Sequence, residues 1–232
     1  MSRQARSELW RHDFRWAGWA AWVAPLGALV ATLAMTALAV GSGAGRQQVR
    51  DLLLTGLEAI VPLAVAMAAV TAIAGDRSRE LQLSLPANYV ATLGRRVGSL
   101  LGAGFAVCVV FSVGVLAAGC WSGPRFVASP LVWAPPTIAL VGLGVFIAVL
   151  TRSVVLATSG LAALWLAQQI YASTIGALEW ARPFLLFQTT RVGVTDGWAL
   201  DRTLLAVVGV VLVAAAATLL RRPDRLLTEE EA

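Results

Sequence analysis

The chain has 232 residues, of which 58% are apolar and only 13% are charged, and its net charge is +5. A soluble domain carries roughly 25% charged and 45–50% apolar residues, and a chain of this length cannot bury the apolar excess in one core. The composition therefore excludes a water-soluble globular domain and a disordered chain, and it indicates an integral membrane protein.

The first predicted element is a basic helix at the membrane interface. Arginines and apolar side chains are mixed in it, and positions 10, 14 and 18 fall on one helical face. The arginines can reach lipid headgroups, so we expect an interfacial helix that leads into the first span; a frayed basic tail is the alternative. The residues assigned to this helix are Arg6, Trp10, Arg11, Phe14 and Arg15.

Six apolar runs follow that reach or approach the length of a membrane crossing. A crossing helix needs about 20 apolar residues, and lipid cannot satisfy the backbone groups of an open strand or loop. We predict an all-α integral membrane fold with six transmembrane helices in a single domain, residues 1–232. The predicted spans are approximately residues 16–40, 52–74, 97–121, 131–150, 154–174 and 203–220.

The arginines predict the orientation of these spans, because arginine and lysine are more frequent on the cytoplasmic side. The two termini and the even-numbered loops hold twelve arginines, and the odd-numbered loops hold six. The larger group is Arg3, Arg6, Arg11, Arg15, Arg77, Arg79, Arg95, Arg96, Arg152, Arg221, Arg222 and Arg225. Both termini are therefore predicted to be cytoplasmic. On this interpretation the positive charge reflects membrane topology, and we expect no nucleic-acid partner.

Residue patterns typical of enzymes are scarce. His12, the single histidine, lies in the basic N-terminal segment, and no histidine lies in a span to activate Ser159. No His, Cys or carboxylate spacing matches a metal site. Since the chain has no lysine, it has no GxxxxGK[ST] phosphate-binding loop. We expect no catalytic residue, metal or cofactor in this chain.

A polar segment of about 22 residues connects the second and third predicted spans. Helices can be joined by roughly 2–8 residues, so this segment is longer than a connection requires. It mixes both charges with leucines at positions 81, 83 and 85, a pattern that suits docking into the groove of a partner. An interfacial helix that lies on lipid is the alternative.

Residues 76–96 carry a specific resemblance. They begin Asp-Arg-Ser-Arg-Glu-Leu-Gln-Leu-Ser-Leu-Pro and end on the pair Arg95-Arg96. A charged cluster followed by Glu-Leu, a few apolar residues, a small residue and Pro is similar to the second cytoplasmic loop of the permeases of type-2 ATP-binding-cassette (ABC) exporters. The layout of nearly the whole chain resembles these permeases as well. The family often has Gly-Thr before Glu-Leu, where this chain has Ser78-Arg79.

The resemblance implies a transport subunit of a bacterial cell membrane that does no covalent chemistry. Such exporters resemble a pair of six-span permeases on two ATPase subunits, whose ATP and Mg lie outside the permease. The partners implied are the nucleotide-binding ATPase subunits, a second permease copy or paralogue, and membrane lipids. The loop would form a coupling helix seated on the ATPase. The resemblance assigns this coupling to Asp76, Arg77, Arg79, Glu80, Leu81, Leu83, Leu85, Pro86 and Tyr89.

Polar side chains within the predicted spans are candidates for a substrate path. Glu58 lies in the second span, and Gln168 and Gln169 lie in the fifth, near Trp165 and Tyr171. A charged group in a span costs at least about 2.5–3.5 kcal/mol on insertion scales, so it usually faces a cavity or a partner. For Glu58 the alternative is a solvated position near the surface, and for the glutamines it is hydrogen bonding between helices.

The last outer loop, residues 176–201, contains an apolar octet from Trp180 to Phe187 that is too short to cross the membrane. Such a run predicts a re-entrant or interfacial element, and the resemblance implies that it caps the exit of the pathway; an ordered outer loop is the alternative.

The apolar spans favour an amphipathic, lipid-like or drug-like substrate. A haem-exporter-like permease is one alternative. A non-transport scaffold or sensor is a second. A lipid-modifying membrane enzyme, which would need clustered Asp, His or Lys at one membrane face, is a third.

Overall fold

A computed structural model of the protein describes the backbone of residues 3–74 and 89–220 and the side chains of residues 22–73 and 93–220. Every regular element in those ranges is a helix, so the fold class is all-α, as predicted. The elements are α1 (Arg3–Gly41), α2 (Arg46–Thr55), a π-helical turn (Gly56–Ile60), α3 (Val61–Ala74), α4 (Tyr89–Ala117), a 3-10 turn (Phe126–Ala128), α5 (Pro130–Thr151), α6 (Val154–Ile170), α7 (Ala172–Ala177), a 3-10 turn (Arg182–Phe184), α8 (Gln188–Arg191) and α9 (Trp198–Leu220).

Within the described ranges, five helical stretches are long and apolar enough to cross a membrane. One of them is formed by α2, the π-helical turn and α3 together, and we call this continuous helix the α2–α3 rod. The stretches are Trp22–Gly41, Arg46–Ile73, Leu93–Ala117, Phe126–Thr151 and Trp198–Leu220. The chain is therefore a multi-pass membrane protein.

The predicted span over residues 154–174 is not one continuous helix. Helix α6 has 17 residues and ends at Ile170. Tyr171 leaves the helical geometry, with φ −99° and ψ 15°, before the six-residue helix α7 begins. At about 1.5 Å per residue, α6 alone covers roughly 25 Å, which is short of the hydrocarbon thickness of a bilayer.

Glycines decide where two of the spans end. Gly119 adopts the left-handed conformation at φ 66°, which lets the N–H of Cys120 donate to the carbonyl of Val115 at 3.0 Å. Helix α4 consequently ends at Ala117, four residues before the predicted end at 121. Gly43, at φ 86°, closes α1 in the same way.

The α2–α3 rod and α5 form the centre of the bundle. In the most apolar stretch of each, 67% of the residues are buried within the chain, against 17% in α1 and in α9. Helices α1 and α9 therefore lie at the periphery, where their apolar outer faces are available to lipid. This arrangement surrounds the rod, which carries Glu58, with other helices.

Helices α5 and α9 approach each other most closely where two glycines meet. A Cβ atom on Gly209 would lie 2.6 Å from the carbonyl of Ile138, and one on Gly142 would overlap the carbonyl oxygen of Gly209. Small residues allow the backbones of two membrane helices to come this close. The contact fixes the position of α9, and with it the polar residues of its first turns, against the central helix α5.

Substitution of Gly209 by alanine tests this contact. We expect Gly209→Ala to lower the free energy of unfolding by about 1–3 kcal/mol, because the added methyl group forces the two backbones apart. The measurement is the midpoint of thermal unfolding in detergent. The matched control is Gly98→Ala on α4, where an added Cβ meets nothing within 4 Å. Equal midpoints for the two variants would contradict the close approach.

Candidate functional site

Glu58 lies in the π-helical turn of the rod and is completely buried. The N–H of Val61 donates to the carbonyl of Gly56, five residues back, and Pro62 follows, which has no N–H to donate. Gly56 sits against Thr32 of α1, and a side chain at position 56 would overlap that threonine. Since π-helical turns occur frequently at functional sites, the turn that carries Glu58 is a candidate functional element.

The carboxylate of Glu58 binds backbone from the far end of the sequence. Its Oε1 accepts the N–H of Thr189 at 2.8 Å, and its Oε2 accepts the N–H of Thr190 at 2.8 Å. The carboxylate also forms an ion pair with the guanidinium of Arg202, which is likewise completely buried. A buried charge is tolerated only when it is paired and hydrogen-bonded. Glu58 and Arg202 each neutralise the charge of the other.

Arg202 distributes its remaining hydrogen bonds over the same segment. Its Nη1 donates to the carbonyls of Leu186 at 2.8 Å and Leu185 at 3.3 Å, and its Nη2 donates to the hydroxyl of Thr189 at 3.0 Å. On the topology predicted from the sequence, Arg202 belongs to the arginines of the odd-numbered loops, whereas the structure places it in the second turn of α9. The signal that could have identified it is the lone carboxylate in a span, Glu58, which requires a cation nearby.

Gln168 of α6 also binds this segment. Its Nε2 donates to the carbonyl of Phe184 at 3.1 Å, and its Oε1 accepts the N–H of Leu186 at 2.8 Å. Trp165, one turn earlier, donates its indole N–H to the carbonyl of Ala59 at 3.2 Å and packs edge-on against Phe187, with ring centroids 5.8 Å apart. The amide of Gln168 therefore bonds the backbone of this segment.

The other two predicted path residues lie at the periphery of this site. Gln169 accepts a hydrogen bond from the guanidinium of Arg191, and Tyr171 is 59% exposed at the break between α6 and α7. The structure thus brings Glu58, Trp165 and Gln168 together around one segment and leaves Gln169 and Tyr171 outside it.

The segment bound by these side chains, residues 178–197, is called the cap here. Its apolar octet divides into two parts: Trp180 is 75% exposed, whereas Leu185, Leu186 and Phe187 are buried. The buried part contains no regular helix, so its N–H and C=O groups need partners from elsewhere. Gln168 of α6 and Arg202 of α9 supply partners for this part, which is the condition under which non-helical backbone is tolerated at membrane depth. Glu58 of the rod supplies partners for the N–H groups of the adjacent α8.

A second polar cluster holds the cap at the first turn of α9. One carboxylate oxygen of Asp201 accepts the Nε–H of Arg182 at 2.9 Å and the amide N–H of Gln188 at 2.9 Å. The indole N–H of Trp198 donates to the hydroxyl of Thr189 at 3.2 Å. Asp201 is buried, and Arg182 is 28% exposed on its side chain, so this cluster reaches from the interior to the surface.

Two sets of predicted residues lie outside the described side chains. The coupling set falls within residues 75–88, except Tyr89, whose backbone begins α4. The set of the interfacial helix belongs to the part of α1 before Trp22, where the backbone is one continuous helix with the first span. These sets are Asp76, Arg77, Arg79, Glu80, Leu81, Leu83, Leu85, Pro86 and Tyr89, and Arg6, Trp10, Arg11, Phe14 and Arg15.

The described site has the composition of a structural polar network. Within residues 22–73 and 93–220, no group of three or more His, Cys, Asp or Glu side chains is arranged to hold a metal ion. Cys108 and Cys120 are both free thiols. The polar network holds the cap against three helices, the rod, α6 and α9.

Two adjacent glutamines of α6 test the anchoring of the cap. We expect Gln168→Leu to destabilise the protein by roughly 1–3 kcal/mol, because it leaves the buried N–H of Leu186 unpaired. It also removes the part-buried hydrogen bond to the carbonyl of Phe184. The control is Gln169→Leu, which removes a peripheral hydrogen bond and should change the stability by about 0.5 kcal/mol or less. Thermal unfolding in detergent is the measurement, and equal effects would contradict the assigned role of Gln168.

Comparisons of the chain with models of protein families, with curated proteins and with solved structures found no match. The function is therefore inferred from the residues and geometry of this chain.

Proposed function

We propose that this chain is the membrane-spanning permease subunit of an ATP-driven ABC exporter. In this proposal it moves an amphipathic, lipid-like or drug-like molecule, and a separate ATPase subunit binds ATP and Mg and supplies the energy. The observation that carries the proposal is the polar segment 76–96, which resembles the coupling loop of type-2 exporter permeases. It follows the rod, and its residues from Tyr89 onward belong to the first turns of α4 rather than to a loop.

The ends of the connecting segment support this assignment. The rod, a central helix of the bundle, ends at Ala74, and α4 begins at Tyr89. The connecting residues therefore follow directly from the C-terminal end of the rod. A push on the segment would act directly along the rod. ATP can drive transport only if it favours one conformation of the complex over the other, and a rigid helix is a suitable element to carry that bias.

The proposal includes a sixth crossing. Helix α6 supplies 17 residues, most of them apolar, and the six-residue helix α7 follows it after a single residue, Tyr171. Together they approach the length that a crossing needs. Six crossings place both termini on one side, which we assign to the cytoplasm of a bacterial cell from the arginine distribution. The subunit is proposed to act with a second permease, identical or paralogous.

The composition of the bundle supports the substrate class. The charged residues that the structure places in its interior, Glu58, Asp201 and Arg202, are bonded to one another or to the cap. A small ion would need charged or carbonyl ligands that are free to bind it. An amphipathic molecule instead needs an apolar route, which the spans provide.

The coupling assignment is tested by purifying this chain through an affinity tag and measuring how much ATPase subunit co-purifies with it. We expect Glu80→Arg and Leu83→Asp each to reduce co-purification of a nucleotide-binding subunit and to uncouple its ATP hydrolysis from transport, because they reverse a charge and remove an apolar contact. The matched controls are Glu230→Arg in the C-terminal tail and Gln82→Ala. An ATPase that remains bound and fully responsive to substrate after both changes would show that the assignment is wrong.

The orientation is tested by labelling with a membrane-impermeant maleimide in a chain whose native cysteines are replaced. We expect Ser122→Cys, an exposed position after α4, to be labelled on intact cells, and Ser78→Cys to be labelled only after the cells are permeabilised. The reverse pattern would place segment 76–96 outside the cell, where no ATPase can reach it, and the proposal would fail.

A further inference from the structure

Three buried polar side-chain atoms of the cap and of Arg202 have no hydrogen-bond partner within the described residues. Among the described residues, the buried side-chain atoms without a hydrogen-bond partner are Gln188 Oε1, Thr195 Oγ1, Arg202 Nε, Ser112 Oγ and Trp133 Nε1. The first three belong to the cap or to the arginine that binds it. Buried polar atoms are nearly always paired in folded proteins, so a cluster of exceptions requires an explanation.

The attachment of the cap is concentrated in a few side chains. The N–H groups of Thr189 and Thr190 both depend on the carboxylate of Glu58, and the backbone around Leu186 depends on Gln168 and Arg202. These side chains come from three different helices: the rod, α6 and α9. A relative movement of the rod and α9 would therefore break several of these bonds together, which is the behaviour of a two-state contact.

The ends of the cap permit such a movement. Gly193 and Gly197 have φ values of 89° and 83°, a conformation that side chains rarely adopt, and they flank the return of the chain to α9. At the other end the chain at Leu178 is extended and exposed. The cap is therefore joined to α7 and α9 by irregular backbone, while its centre is held by side chains.

We propose that the cap is a two-state closure and that Glu58 is its latch. In the closed state, the carboxylate of Glu58 holds the N–H groups of Thr189 and Thr190 and neutralises Arg202. In the open state these groups, together with the unpartnered atoms of Gln188, Thr195 and Arg202, are hydrated. The use of this closure as an exit gate rests on the proposed export function.

The closure is tested by hydrogen–deuterium exchange of the purified chain in lipid nanodiscs. We expect Glu58→Gln to accelerate exchange in peptides covering residues 185–192 by at least about tenfold, because one amide oxygen cannot replace a carboxylate that accepts two N–H groups and pairs with Arg202. Peptides within residues 205–216 of α9 should keep their protection. The control is Glu179→Gln, the same chemical change at an exposed position of the cap. Unchanged exchange in Glu58→Gln would overturn the proposal.

If Glu58→Gln also exposes the α9 peptides, Glu58→Asp decides the question. It keeps the negative charge beside Arg202 but is shorter by one methylene group, so it cannot reach both N–H groups. Faster exchange confined to the cap supports the latch, and unchanged exchange refutes it. All these measurements use the chain without its proposed ATPase. A failed latch is therefore seen in the exchange pattern, whereas a failed export function is seen in the co-purification.

Discussion

The attachment of the cap to the helical bundle depends on one buried carboxylate that accepts two backbone N–H groups. Glu58 binds Thr189 and Thr190 and pairs with Arg202, and all the charge involved is removed from solvent. Lipid and packed side chains offer no hydrogen bonds, so an irregular segment can lie there only if the protein satisfies it. In this chain Glu58, Gln168 and Arg202 do so. The ion pair then becomes necessary, because either charge alone would be costly to bury.

The position of the carboxylate follows from close helix packing. Gly56 contacts Thr32 at the start of the π-helical turn, and the contact of Gly142 with Gly209 draws α9 against the central helix α5. Arg202 lies about two turns before Gly209 on α9, so this backbone contact also sets the depth at which its guanidinium meets Glu58. Glycines that bind nothing themselves therefore determine which polar groups meet.

On the proposed export function, the network also determines which polar groups the chain can offer to a substrate. The polar side chains considered for a substrate path are in large part engaged by the chain itself, as the bonds of Glu58 and Gln168 to the cap illustrate. On the proposed function, recognition in the closed state would then rest on apolar surfaces. Polar groups would become available only when the cap moves. Substrate contact and opening of the cap would be linked through the same residues.

The sequence by itself determined the membrane class, the helical fold and the approximate positions of five of the six predicted spans, because the length and polarity of apolar runs are local properties. It also singled out Glu58 and Gln168 as exceptional, since a polar group in an apolar run is visible without a structure. It placed the end of α4 four residues too late and treated residues 154–174 as one helix, because the left-handed turn at Gly119 and the break at Tyr171 are weak local signals.

Only the tertiary structure decided which groups meet. Arg202 belongs to the last helix and Glu58 to the rod, 144 positions apart in the sequence, and no periodicity relates them. The division of the octet into the exposed Trp180 and the buried Leu185–Phe187 likewise depends on partners from α6 and α9. Burial and pairing are properties of the assembled helices. For that reason the sequence could identify a polar group that needed a partner, but the partner itself became evident only in the fold.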